Sequence, residues 1–249
     1  MISSGSLEFD QLKKHLDESR SVRREVEFAF SALLSAANPS DRGTRFLFGN
    51  GAEWILAAAS WSAGVLTAPS GHNADGFDLG DLLNKSRSLW SVKASASKSS
   101  SSIRLINFMG SGENAEWKEP TVFVSPYYSG AVFIDPNKCP EIKRQVRNAT
   151  DALTLTGKIV RDFADENPQN RIRFDVAVNQ GAANNDPYTF IKSILDPSHF
   201  PHLAKPFLAS VPSSASNRVD DIQRLVELRD QGLLNNEQFA KAVDQIVQS

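Results

Sequence analysis

Three short stretches of this sequence place two carboxylates and a lysine where they can act together. Gly51-Ala52-Glu53 opens an apolar helix, Phe77-Asp78-Leu79 leads into a second element, and Trp90-Ser91-Val92-Lys93-Ala94-Ser95 has the alternation of a strand. A carboxylate on a helix, another at a strand end and a lysine on the next strand can converge on a small acidic pocket that holds a divalent cation beside a cationic side chain. Mg²⁺ needs only one or two protein carboxylates, because water and substrate phosphate oxygens complete its shell. Such a cation lowers the pKa of a bound water and stabilises the phosphorane and the leaving oxygen, which suits phosphodiester hydrolysis. Lys93 would orient the attacking water or offset the added negative charge. Side chains alternate along a strand, so Ser91 and Lys93 share one face while Trp90, Val92 and Ala94 take the other. The apolar set can then be core while Ser91 and Lys93 line the site.

Each residue also has a plainer explanation. Glu53 near a helix start favours the macrodipole without any further role. Asp78 lies among Asp75, Gly76 and Gly80, a composition that suits a turn, and Asp75 or Asp81 can take its place as the metal-binding acid. Lys93 between Val92 and Ala94 has fewer alternatives, since a strand lysine with apolar neighbours belongs at a sheet edge or in a site.

In order and spacing these residues resemble the PD-(D/E)xK nuclease superfamily, the restriction-endonuclease-like fold, over roughly residues 46–135. In that family a helix bearing a glutamate precedes a meander of strands, the first aspartate lies on the second strand and the (D/E)xK tripeptide on the third. Glu53 matches the helix glutamate, Asp78 the aspartate, and Ser91-Val92-Lys93 the tripeptide. The resemblance implies an α+β core (an α/β sandwich) with a central mixed sheet flanked by helices. It implies Glu53, Asp78, Ser91 and Lys93 as catalytic residues, Glu53, Asp78 and Val92 as metal ligands, and Mg²⁺ or Mn²⁺ as cofactor. The expected activity is DNA endonuclease cleavage, as in a restriction or phage-defence enzyme. Ser91 departs from the pattern, because the family usually carries Asp or Glu there. The alternative is an inactivated scaffold that binds nucleic acid or a protein partner without cutting, and RNA ranks below DNA as substrate because no RRM-like aromatic signature is present.

The elements that must position these residues follow from periodicity. Leu12, Leu16, Val26, Phe30, Leu33 and Leu34 predict a helix over 7–37, and Gly51 to Ala63 a second one stopped by Gly64. Strands are predicted at 65–68, 77–83, 89–94, 103–108, 121–125, 128–134 and 171–178, with a long helix over 140–165. The serine-rich stretch Ser95 to Ser102 reads as a connection that can also meet phosphates through hydroxyls and N–H groups. Trp117, Tyr127 and Tyr128 are expected in packing. His199 and His202 make a poor zinc site, because proline interrupts them and no further Cys or His is near.

Composition sets limits. A chain of 249 residues, 41% hydrophobic and 22% charged, is long enough for one substantial globular domain plus a small appendage. A formal charge of −2 excludes a generally basic nucleic-acid coat but permits local basic surfaces. The candidates are Arg20, Arg23 and Arg24, Lys93 and Lys98, and Lys143, Arg144 and Arg147 on the long helix. Cys139 is the single cysteine, which leaves no disulfide framework and suits a reducing cytoplasm. No signal peptide or membrane-spanning run is apparent.

The expected organisation is an N-terminal helical segment 1–45, the nuclease domain 46–209, a linker 210–218 and a helical hairpin 219–249. In the hairpin, Ile222, Leu225, Val226 and Leu228 face Phe239, Val243, Ile246 and Val247 across Gly232-Leu233-Leu234. Leu225, Leu228, Gly232, Leu234, Glu237 and Phe239 resemble the SHOCT (short C-terminal) domain, although Gln238 separates the Glu from the Phe. That resemblance implies an oligomerisation or interaction element. A hairpin of about thirty residues cannot bury a sufficient core alone, so homo-oligomerisation is the expected outcome and docking on its own main domain the alternative.

Overall fold

The computed structural model describes residues 3–36, 42–65, 67–69, 78–81, 88–107, 116–149, 152–174, 199–203, 225–226, 228–230, 236, 239–240 and 242–243. The chain divides into two compact units, Met1–Leu203 and Ala204–Ser249.

The first unit is a mixed α/β structure. Helices α1 (Leu7–Glu18), α2 (Arg20–Ala36) and α3 (Arg42–Ser62) precede β1 (Thr67–Pro69), β2 (Leu79–Asp81) and β3 (Ser88–Ala94). After β4 (Ser102–Asn107) come β5 (Thr121–Ser125), β6 (Gly130–Ile134), α4 (Pro140–Lys143), β7 (Arg147–Asn148), β8 (Ala152–Thr156), α5 (Gly157–Glu166) and β9 (Arg171–Arg173). Among the described residues six strands form one mixed sheet in the order β1-β2-β3-β5-β6-β9, and β4-β8-β7 form a second. Among the described residues of the larger sheet, β3 and β5 run parallel and the other neighbours antiparallel.

The larger sheet is covered on both faces because its strands are apolar on both. Trp90, Val92, Val122, Val124, Ala131 and Phe133 join α1, α2 and α3 in one core. Phe123, Val132 and Ile134 point the other way and join Leu105, Leu153, Leu155, Val160 and Phe163 in a second. Ser91 pairs with Thr121 and Lys93 with Phe123, so both site residues of β3 lie on that second face.

Two boundaries differ from the sequence expectation for identifiable reasons. The single helix expected over 7–37 is broken at Ser19, whose backbone leaves the helical region at φ −102° and ψ 89°. Its N–H closes α1 on His15 and its carbonyl accepts the first bond of α2 from Arg23, the backbone geometry of an N-cap residue. The long helix expected over 140–165 is replaced by α4, β7, β8 and α5, which puts Arg147 on a strand. Leu153 and Leu155 are buried while Thr154 and Thr156 are half-buried, a period-two pattern that competes with the helix formers on either side.

Smaller differences are consistent with short paired strands. The second strand is Leu79–Asp81, and the 128–134 run begins as a 3-10 turn at Pro126–Tyr128 before β6. Strand β9 ends at Arg173, and the remainder of the expected 171–178 strand beyond Phe174 lies outside the described residues. Gly130 allows β6 and β9 to meet, since its φ is +148° and a Cβ there would lie 2.0 Å from the Ile172 carbonyl oxygen.

The aromatic residues are packed as expected. Trp117 is buried with Nε1 donating to Thr121 Oγ1, Tyr128 is buried, and Tyr127 lies under the Arg161 guanidinium. His202 meets Glu25 instead of a second histidine: both Glu25 oxygens accept from the His202 N–H at 3.1 Å, and Oε2 accepts from the Leu203 N–H at 2.8 Å. Among the described residues no helix is long and apolar enough to cross a membrane.

In the second unit the described residues are helical. Leu225 and Ala242 are buried together, with Leu228, Phe239 and Val243 packed against them. The Arg229 guanidinium stands over the Phe239 ring at 4.7 Å from its centroid. Contacts therefore join the described helical residues on either side of 231–235.

Candidate active site

The site arises where β2 stops pairing with β3. Leu79 lies opposite Trp90, with an irregularity between Leu79 and Gly80, and continuing that register by one residue brings Asp78 opposite Ser91. From Ser91 onward β3 pairs with β5 on its other side. The N–H groups of Ser91 and Ser95 donate toward β5, to the carbonyls of Pro120 and Val124. Val92 is out of phase with them, so its N–H and carbonyl turn to the β2 side. There the Asp78 carboxylate takes the place of a strand partner.

Asp78 Oδ2 collects three donors from consecutive residues of β3. It accepts from Ser91 Oγ at 2.9 Å, from the Val92 N–H at 2.5 Å and from Lys93 Nζ at 3.4 Å. Ser91 is only 5% exposed, whereas the side chains of Lys93 and Asp78 are 25% and 28% exposed. The anchor is thus buried at the serine and opens toward solvent at the lysine and the acid.

Glu53 reaches the same place from α3. A Cβ at Gly51 would lie 2.4 Å from Leu33 Cδ1, so the glycine lets α3 approach α2 closely two residues before the glutamate. Ala52, Ile55 and Leu56 are buried and turn the helix into the core, leaving Glu53 half-buried. Burial first and the charge of Asp78 second push the Glu53 carboxyl up, Lys93 opposes the rise, and the group is left at about 7. The helix acid therefore feels both partners, and the structure brings Glu53, Asp78, Ser91, Val92 and Lys93 together.

The donor set fits a hard divalent cation. The charge of Asp78 opposes ionisation of Glu53, which a cation between the two carboxyl groups would relieve, and the Val92 carbonyl turns to the same side. Among the described residues no group of three His, Cys, Asp or Glu side chains is gathered, so water and substrate oxygens would complete the shell. Asp81 sits in β2 opposite Thr67, on the β1 side, and Asp75 lies outside the described residues.

Two members of the basic clusters named from sequence, Arg23 and Lys143, are engaged within the fold. Arg23 bridges Asp17 and Glu27 and donates to the Arg173 carbonyl, and Lys143 meets Glu116 at 2.5 Å. The serine-rich connection after β3 is tied down by serine hydroxyls, its own and that of Ser125. Ser97 Oγ accepts from the Ser99 N–H, the Ser97 carbonyl accepts from Ser125 Oγ, and Ser100 Oγ accepts from the Lys158 N–H. Sequence reasoning did not find the Val92 N–H as a partner of Asp78, because a backbone donor leaves no mark in residue type.

No family model, curated protein or solved structure matches this chain.

Proposed function

We propose that the first unit is a restriction-endonuclease-like domain of the PD-(D/E)xK type and that the chain is a metal-dependent DNA endonuclease. The observation that carries this reading is the convergence of Glu53 from α3, Asp78 from the head of β2 and Lys93 from β3, in the order of that family's motifs. Glu53, Asp78 and the Val92 carbonyl would hold Mg²⁺ or Mn²⁺. The cation, when bound, supplies Lewis-acid stabilisation of the phosphoryl oxygens and a more acidic water. Lys93 places its ammonium beside Asp78, where it positions the attacking water and offsets charge building on the phosphate. Asp78 in turn keeps that ammonium in place.

The hairpin of the second unit would carry self-association of the SHOCT kind, which fits the small buried set of Leu225 and Ala242. Two sites related by symmetry would then cut both strands of a duplex.

Ser91, where the family usually has a carboxylate, favours a second reading: a nuclease scaffold that binds nucleic acid without cleaving it. Plasmid cleavage by wild type, Asp78→Ala and Lys93→Ala in Mg²⁺, Mn²⁺ or EDTA separates the two. Metal-dependent cutting that both substitutions abolish supports the nuclease. Intact DNA in every lane, from folded protein that binds DNA, supports the second reading.

A further inference from the structure

The three donors to Asp78 all meet one of its two oxygens. Oδ2 accepts from Ser91, Val92 and Lys93, and Oδ1 receives none of these bonds. An ionised carboxylate can accept at both oxygens, so loading one of them fixes the group's orientation and leaves the other for a further partner. The donors differ in stiffness. The Val92 N–H belongs to the strand backbone and Ser91 is 5% exposed on a short side chain, whereas Lys93 reaches Oδ2 along a flexible stem at 3.4 Å. Ser91 therefore supplies the one rigid side-chain bond in the set.

We propose that Ser91 is a positioning residue of the metal site: its hydroxyl donates to Asp78 Oδ2 and holds the carboxylate against β3 so that Oδ1 is presented to a divalent cation. The inference rests on the nuclease reading given above. A hydroxyl has a single proton, and here it is directed to Asp78 at 2.9 Å. Serine thereby acts through the neighbouring acid, at a position where the family's usual acidic residue would ligate directly. The cation is left to Asp78, Glu53 and the Val92 carbonyl. Removing a partner that orients a ligand costs about 10–100-fold in metal affinity.

Calorimetric titration of the full chain with Mn²⁺ tests the assignment, using wild type, Ser91→Ala, Ser91→Thr and Asp78→Ala, with circular dichroism recorded on each. Ser91→Ala is expected to weaken Mn²⁺ binding about 10–100-fold, with Ser91→Thr returning it close to wild type because the donor is restored. Wild-type affinity in Ser91→Ala overturns the proposal. So does a Ser91→Thr protein of native dichroism that binds as weakly as Ser91→Ala. Asp78→Ala distinguishes the two levels: if it alone loses Mn²⁺, only the role of Ser91 falls, and if it binds as wild type the cation reading falls with it.

Discussion

The charge of Asp78 raises the pKa of Glu53, although one residue stands at the head of a strand and the other on a helix. This coupling links the two acids by electrostatics as well as by position, and Lys93 moderates it.

Substitution of Lys93 should separate catalysis from folding. Lys93→Ala leaves Asp78 Oδ2 with the Ser91 hydroxyl and the Val92 N–H, so the strand junction stays closed. Cleavage is expected to fall by about 10²–10³-fold, the size of losing one preorganised stabilising group. Single-turnover cleavage rates beside thermal melts check it, and a rate within threefold of wild type would remove Lys93 from the chemistry.

Glu53 should impose a pH dependence on stability in the metal-free protein. Its folded pKa of about 7 lies above the ordinary 4.5, so its contribution is fully present below about 4.5 and is lost as pH rises through about 7. Glu53→Gln should therefore match wild type near pH 4.5 and exceed it at pH 8. The gain is about 1–2 kcal/mol after allowance for the partial exposure of the group. Denaturant unfolding in EDTA at the two pH values measures the difference, and equal gaps at both would contradict it.

Gly130→Ala should destabilise the first unit severely. The added Cβ would meet the Ile172 carbonyl oxygen at 2.0 Å, from a backbone at φ +148°, and neither strand backbone can yield without breaking the β6–β9 pairing. A loss of about 3 kcal/mol or more is expected, from steric conflict and backbone strain together. The midpoint of urea unfolding reads it directly.

The hairpin should govern assembly. Leu225→Asp introduces a charge among Ala242, Leu228, Phe239 and Val243, which the small cluster cannot solvate. With the proposed self-association, light scattering is expected to give an oligomer for wild type and a monomer for Leu225→Asp, with the main melting transition unchanged. An unaltered mass would place self-association elsewhere.

Much of the site could be read in the sequence because its parts are local. The alternation from Trp90 to Ala94 states which side chains share a face, and the structure places Trp90 and Val92 in the helix-covered core with Ser91 and Lys93 opposite. The apolar residues around Glu53 state that it rides on a core-facing helix, and Thr121–Ser125 is a strand as its β-branched and aromatic residues predict. Where two local signals compete, the sequence is ambiguous: Leu153-Thr154-Leu155-Thr156 carries a strand period between residues that favour helix, and pairing of β8 with β4 and β7 decides it.

Residue types and their spacing thus determine by themselves which groups are candidates for the proposed chemistry and on which face of β3 they stand. Only the tertiary structure decides that they meet. The parallel pairing of β3 with β5 occupies one edge of β3, and the end of its pairing with β2 at Leu79 releases the Val92 N–H to the other side. Asp78 fills that opening because a buried backbone donor must find an acceptor, and Glu53 arrives because Gly51 lets α3 close on α2. Both conditions depend on partners distant in sequence, which local periodicity cannot register.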